Sequence, residues 1–283
     1  MDRIPVFLNP GAGGADGVRG AIARDPRFVL VEPPSGSLAA EVGRAADAGA
    51  RRVAVAGGDG TVSAAAGALG GRAELAVVPA GTLNHFARSL GIPTRAPAAL
   101  DLAATGAPRP VDAAAVNGRI FVNNSSLGAY VSYVRARERL ERRLGYRVAT
   151  LAAGARTLAR HPGHRVVVEV DGETREFHTP LLFLGVGERG LFPLRVAAEG
   201  RAGLHVLVVH GRRTALLLAR ALAVVLRAED VERLPEVSGF FVDRCVVRAP
   251  TGRLRVAADG EIVAMESPLE FVARPAALRV VAP

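Results

Sequence analysis

Lysine and tryptophan are missing altogether, and Cys245 is the single cysteine among 283 residues. One cysteine excludes an intramolecular disulfide and any thiolate-built zinc or iron–sulfur centre. Its setting in the segment 242–247, directly before Val246 and Val247, reads as a small buried residue, not a reactive thiol. Aromatic residues make up only 5%. With no tryptophan and no base-reading motif, the chain lacks a stacking platform for nucleic acid. The longest apolar stretch, Ala215–Leu226, is broken by Arg220 and falls short of the roughly 20 residues a membrane span needs. No apolar leader core precedes the first strand-like segment, so the expectation is a cytoplasmic protein, with peripheral contact at the inner membrane face left open. Also absent are the Gly-Lys-Ser/Thr of a Walker loop and the Gly-x-Gly-x-x-Gly of a dinucleotide turn.

What is present describes a globular chain, 49% hydrophobic and 22% charged. Because lysine is absent, all 36 basic residues are arginine, and against 27 acidic ones they leave a net charge of +9. That surplus attracts anions: phosphorylated small molecules or an acidic membrane face.

The first 110 residues alternate apolar strands with helical segments. Strands are expected at Ile4–Leu8, Phe28–Val31, Arg52–Ala56 and Ala73–Val78, and helices at Leu38–Ala48, Thr61–Leu69 and Leu83–Leu90. Such alternation implies crossover units and a parallel sheet covered on both faces. After about Arg109 the pattern turns antiparallel. Val111–Val116 and Arg119–Asn123 flank an Asn117-Gly118 hairpin turn. Further strands are expected at Arg165–Val170, Glu173–Phe177, Leu181–Val186, Leu204–Val209, Gly239–Arg248, Arg253–Ala258, Glu261–Met265 and Leu269–Ala273. The fold class is therefore an α/β N-terminal domain with a parallel sheet, followed by a C-terminal antiparallel β-sandwich. The expected divisions are 1–115, 116–275 with an Arg-rich helical insertion, and a tail at 276–283 that returns to the first domain.

Three turns at strand ends carry the candidate chemistry. Gly57-Gly58-Asp59-Gly60-Thr61 ends a buried strand and opens a helix. Glycines there permit positive φ and bring backbone N–H groups close to phosphate oxygens, and a helix N-terminus adds its positive end. Asp59 suits a Mg²⁺ bound to phosphates or the orientation of a hydroxyl. The structural alternative is a tight turn with Asp59 as a helix N-cap. Asn9-Pro10-Gly11-Ala12-Gly13-Gly14 and Pro79-Ala80-Gly81-Thr82-Leu83-Asn84 close two more strands on the same edge. Ligands of parallel sheets sit beyond such strand ends.

These three turns, with Phe86-Ala87-Arg88, Val111-Asp112, Phe121-Val-Asn-Asn-Ser-Ser-Leu-Gly128 and Asp259-Gly260-Glu261 in that order, resemble the diacylglycerol kinase catalytic-domain family. The resemblance covers nearly the whole chain. It implies an ATP-binding domain like that of NAD kinases and phosphofructokinases, a β-sandwich domain, and a cleft where a lipid hydroxyl meets the γ-phosphate. It implies nucleotide contacts from Asn9, Pro10, Gly11, Gly13, Gly57, Gly58, Gly60, Thr61, Gly81, Thr82 and Asn84. It further implies Glu261 as proton acceptor, Asp59 as the essential acid of the nucleotide loop, and Asp59 and Asp112 in a magnesium network reached through water or ATP phosphates. From the residues alone, Asp259-Gly260-Glu261 reads as an ordinary hairpin turn.

Some positions depart from that pattern. His85 and His205 stand where the family often carries aspartate, Ser63-Ala64 replaces a common Asn-Glu, and the 185–190 loop lacks an asparagine pair. They bear on the metal arrangement and the substrate. The other histidines show no metal spacing: His161 and His164 read as loop, His178 and His210 as strand ends. The segment 129–160 reads as one helix with Arg135, Arg137, Arg139, Arg142, Arg143, Arg147, Arg156 and Arg160, suited either to anionic lipid or to an ordinary solvated face.

The function expected is an ATP- and Mg²⁺-dependent kinase of a lipid hydroxyl, diacylglycerol-like or sphingoid. The alternatives are a kinase of a soluble polyol or nucleotide, and a lipid- or nucleotide-binding homologue with impaired catalysis. The partners expected are a lipid substrate and, transiently, an anionic membrane surface, with no nucleic acid; a homodimer is compatible with the sequence.

Overall fold

Strands β1 (Ile4–Leu8), β2 (Phe28–Val31), β3 (Arg52–Gly57) and β4 (Glu74–Pro79) form a parallel sheet in the order β2–β1–β3–β4. The structure, a computed structural model, describes residues 3–128, 140, 152–153, 164–170, 172–179, 181–187, 203–209, 237–249 and 252–283. Alternation along the two central strands divides one core into two layers. Val53, Val55, Leu75 and Val77 point to one face, and Ala54, Ala56, Ala76 and Val78 to the other. Both faces are covered, which is why these strands read as unbroken apolar runs. On the first face lie α2 (Leu38–Asp47), α3 (Asp59–Leu69) and α4 (His85–Ser89), and on the second α1 (Ala15–Ile22) and α5 (Ala96–Thr105).

Neither α1 nor α5 is legible as a periodic segment in the sequence. Gly17 and Gly20 dilute the apolar face of α1, which buries Ala15, Val18, Ala21 and Ile22. Alanines supply most of the buried face of α5. The helix expected at 83–90 is shorter, because Asn84 takes a left-handed conformation with φ 50° and α4 begins only at His85.

The chain forms two compact units. The first is Met1–Ala113, Gly118–Asn123 and Arg274–Pro283, and the second is Ala114–Asn117 and Asn124–Ala273. Within the first, the end of β16 (Leu269–Val281) pairs parallel with β4. Glu74, fully buried at the start of β4, holds this end together. It accepts from Arg52 at 2.7 Å and from Arg279 at 3.2 Å.

The second unit is a β-sandwich of two antiparallel sheets. One contains β16, β13 (Arg244–Arg248), β8 (His164–Val170) and β9 (Glu173–Thr179). The other runs β12–β11–β10–β7–β14–β15, comprising β7 (Asn124–Gly128), β10 (Leu181–Val186), β11 (Leu204–Val209), β12 (Val237–Val242), β14 (Arg253–Ala258) and β15 (Glu261–Glu266). The single strand expected at 239–248 is two strands in different sheets. Leu204 pairs Val242, while Arg244 pairs Val272, so the chain changes layer at Asp243. His164 is the first residue of β8 and not a loop residue. Cys245 is buried in β13, and burial pushes its thiol up to about 12. The helix expected at 129–160 (apart from residues 140, 152 and 153) and the apolar stretch 215–226, with His161 and His210, lie outside the described residues.

Candidate functional site

The three strand-end turns of the first unit are tied into one frame by backbone hydrogen bonds. Asn9 N donates to Ala56 O, Ala80 N to Gly57 O and Gly14 N to Ala80 O, each at 2.9 Å. Side chains complete the frame. Asn9 Nδ2 donates to Thr61 Oγ1 at 3.0 Å, while its Oδ1 accepts from Gly11 N at 3.0 Å. Asn84 closes the third turn on itself, accepting from Gly81 N at 2.9 Å and donating to Gly81 O at 2.7 Å.

The glycines of these turns are not there for positive φ. Residues 11, 13, 57, 58, 60 and 81 all lack it, which corrects the expectation drawn from their residue type. At Gly57 and Gly81 the cause is close approach. A Cβ on Gly81 would lie 2.5 Å from Gly58 Cα, and one on Gly57 would lie 2.4 Å from Thr61 Oγ1. Gly58 and Gly13 are different. A Cβ on Gly58 would meet its nearest neighbour at 3.4 Å, and one on Gly13 would meet nothing within 4 Å.

Their position explains what the missing side chains do. Gly14 and Gly58 are the N-caps of α1 and α3, and neither helix has a side-chain cap. The first-turn N–H groups of a helix have no partner within it. Apart from Ala15 N, which donates to Ala12 O at 3.0 Å, they stand without a side-chain cap at the ends of the adjacent strands β1 and β3 and present donors and the positive end of the helix to an anion.

Asp59 leaves its own helix uncapped and serves another. It is the first residue of α3, yet its Oδ2 accepts from His85 N at 3.0 Å and its Oδ1 from Phe86 N at 2.9 Å. These are the first two amides of α4, which Phe86 anchors in the core with no exposed surface. Asn123 Nδ2 adds a third donor to Asp59 Oδ1 at 3.3 Å. Asn123 is the functional neighbour that the sequence reading did not single out; the Asn123-Asn124 pair after the hairpin was its one signal.

The remaining candidates lie elsewhere. Asp112, half-buried in β5 (Pro108–Val116), accepts from Ala276 N at 2.8 Å. Glu261 is exposed at the start of β15 in the second unit. Its turn is fixed by Asp259 and Gly260, both at positive φ, and by Asp259 Oδ1 accepting from Asn124 N at 3.0 Å. His205 is fully buried and stacks on Phe241 with ring centroids 4.2 Å apart. Ser63 Oγ donates to Ile120 O at 3.4 Å, linking α3 to β6 (Arg119–Phe121). Among the described residues, no three of His, Cys, Asp and Glu gather as a metal cage.

A family model described as the diacylglycerol kinase catalytic domain matches residues 3–116. A relative named probable lipid kinase YegS-like, from Pseudomonas syringae pv. tomato, is 33% identical over 259 residues, covering 84% of this chain and 78% of that protein. The chain belongs to the diacylglycerol kinase catalytic-domain family. A relative of the same name from Cronobacter sakazakii is 34% identical over 194 residues, and the match spans 64% of its length, a little under two thirds. Among solved structures, a diacylglycerol kinase from Bacillus anthracis str. Sterne superimposes with TM-score 0.72 at 20% identity, over 99% of this chain and 97% of that one. An NAD kinase from Archaeoglobus fulgidus in complex with ATP gives 0.53 at 12% identity, over 99% and 92%. At such identity these speak for the fold: the parallel α/β unit and the β-sandwich. His85, at the position where the family resemblance leads to an aspartate, donates its backbone N–H to Asp59 Oδ2. No described helix is long and apolar enough to cross a membrane.

Proposed function

We propose that this protein is an ATP-dependent lipid kinase, moving the γ-phosphoryl group of ATP to a diacylglycerol-like or sphingoid hydroxyl. The observation that carries the nucleotide half is the pair of uncapped helix N-termini, α1 and α3, at the ends of adjacent parallel strands. The lipid half rests on the relatives' name. In this reading the amide of Gly13 and those beyond Gly58 and Gly81 hold phosphate oxygens, and Thr82, exposed on its turn, adds a hydroxyl contact. The lipid oxygen bonds to the γ-phosphorus as the bond to the bridging oxygen breaks, ADP leaves, and Glu261 takes the hydroxyl proton. Asp59 holds α4 against the phosphate turns and keeps a negative charge beside them.

Mg²⁺, when bound, would supply charge neutralisation between the phosphates. The donor set fits an ion carried by the nucleotide and water. The described carboxylates form no cage, and both oxygens of Asp59 already accept N–H donors.

The test incubates purified protein and γ-labelled ATP with diacylglycerol, a sphingoid base, a soluble polyol and NAD, and identifies the labelled product by mass. Label in a lipid, reduced roughly 10²–10⁴-fold by Glu261→Gln, is the expected result. Label only in a soluble acceptor overturns the lipid assignment, and a full-rate Glu261→Gln enzyme removes Glu261 as the base.

A further inference from the structure

Leu83 is held in water by a frame that has no need of it there. Among the described residues, it and Val29 are the exposed large hydrophobic side chains, Leu83 at 37%. The turn that carries it is rigid. Asn84 clamps Gly81 through both its side-chain atoms, and Gly81 presses on Gly58 so closely that a Cβ would collide. Three residues further on, Phe86 enters the core with no exposed surface. The apolar residues of this segment thus divide: Phe86 anchors α4, and Leu83 stays at the tip, beside the open N-terminus of α3.

We propose that Leu83 is the apolar contact for the base of the bound nucleotide. The inference rests on the nucleotide reading given above and adds the base to it. A ligand fitting this corner has a polyanionic part for the uncapped amides and an apolar face to cover an exposed isobutyl group. A nucleoside triphosphate has both. Leucine has no hydrogen-bonding group with which to read a base edge, so the contact favours a base over none without choosing between adenine and guanine.

Titration calorimetry with ATP, GTP and inorganic tripolyphosphate separates the possibilities, using wild type, Leu83→Ala and Leu83→Phe. Exposure of Leu83 makes both variants safe for folding, which a melting curve verifies. The expected result is roughly tenfold weaker ATP and GTP binding by Leu83→Ala, the effect of losing part of a leucine's burial. Tripolyphosphate binding stays unchanged, and Leu83→Phe keeps the nucleotide affinity. Unchanged ATP binding overturns the proposal, as does an equal loss for ATP and tripolyphosphate, which would mean that Leu83 only shapes the turn. Loss of lipid-vesicle binding with intact ATP affinity would also overturn it, in favour of an acyl-chain contact. Failure of the wild type to bind any of the three sinks the nucleotide reading itself and this inference with it.

Discussion

Asp59 serves as a carboxylate receptor for three N–H donors drawn from α4 and from Asn123. An asparagine in its place keeps one acceptor atom and turns an NH₂ toward a donor. Asp59→Asn therefore costs stability as well as activity, about 1–3 kcal/mol for the buried donor left unsatisfied, measured by denaturant unfolding. The sequence made the acidic residue among glycines visible. It hid what that residue holds, because the donors come from the next helix and from a hairpin far along the chain. Cys245 makes a second prediction at this scale. Its folded thiol keeps its proton up to about 12, whereas the unfolded chain releases it near the ordinary ~8.5. The resulting contribution is complete below the unfolded value and is lost as pH rises toward the folded one. Unfolding free energy measured between neutral and alkaline pH should therefore fall more steeply in wild type than in Cys245→Ala.

Elements were legible in proportion to their apolar contrast. The parallel strands, being continuous runs of valine, leucine and alanine, stood out. The helices α1 and α5, built on alanine and interrupted or bounded by glycine, did not. The break at Asp243 was also invisible, since a strand that changes sheets keeps its apolar alternation. Arg52 shows how the far end of the parallel sheet is held. It pairs with buried Glu74 and donates to Ala103 O at 2.7 Å and Gly106 O at 2.9 Å at the end of α5. Arg52→Ala leaves Glu74 without its most buried partner and the α5 carbonyls unmet, so a loss of roughly 3–5 kcal/mol is expected. Chemical denaturation is the check, and a loss under about 1 kcal/mol would show that Arg279 and water suffice. At the other end, Gly58 is the N-cap of α3 with φ −92° and ψ −174°, a conformation open to any residue. Gly58→Asp would supply the cap that α3 lacks, leaving stability unchanged or a few tenths of a kcal/mol higher. Its carboxylate would occupy and repel the place of a phosphate.

At the scale of the whole molecule, the charge of +9 carried entirely by arginine implies attraction to anionic surfaces. Sedimentation with vesicles should show binding that requires anionic lipid and weakens as salt shortens the screening length to ~8 Å. Equal binding to neutral vesicles at every salt level would exclude an electrostatic membrane role. Order along the chain made the family legible, because the glycine turns, the hairpin and Asp259-Gly260-Glu261 recur in one sequence. The reason for the glycines was not legible, since positive φ and close approach leave the same residue in the sequence. The central claim is that uncapped helix ends hold the phosphates of ATP while a lipid receives one of them. Its most direct measurement follows label from γ-labelled ATP into extracted lipid, with wild type and Gly58→Asp side by side at matched thermal stability. The account predicts labelled lipid from the wild type and on the order of 10²-fold less from Gly58→Asp. Equal labelling by the two proteins, or no labelled lipid from the wild type, would contradict it.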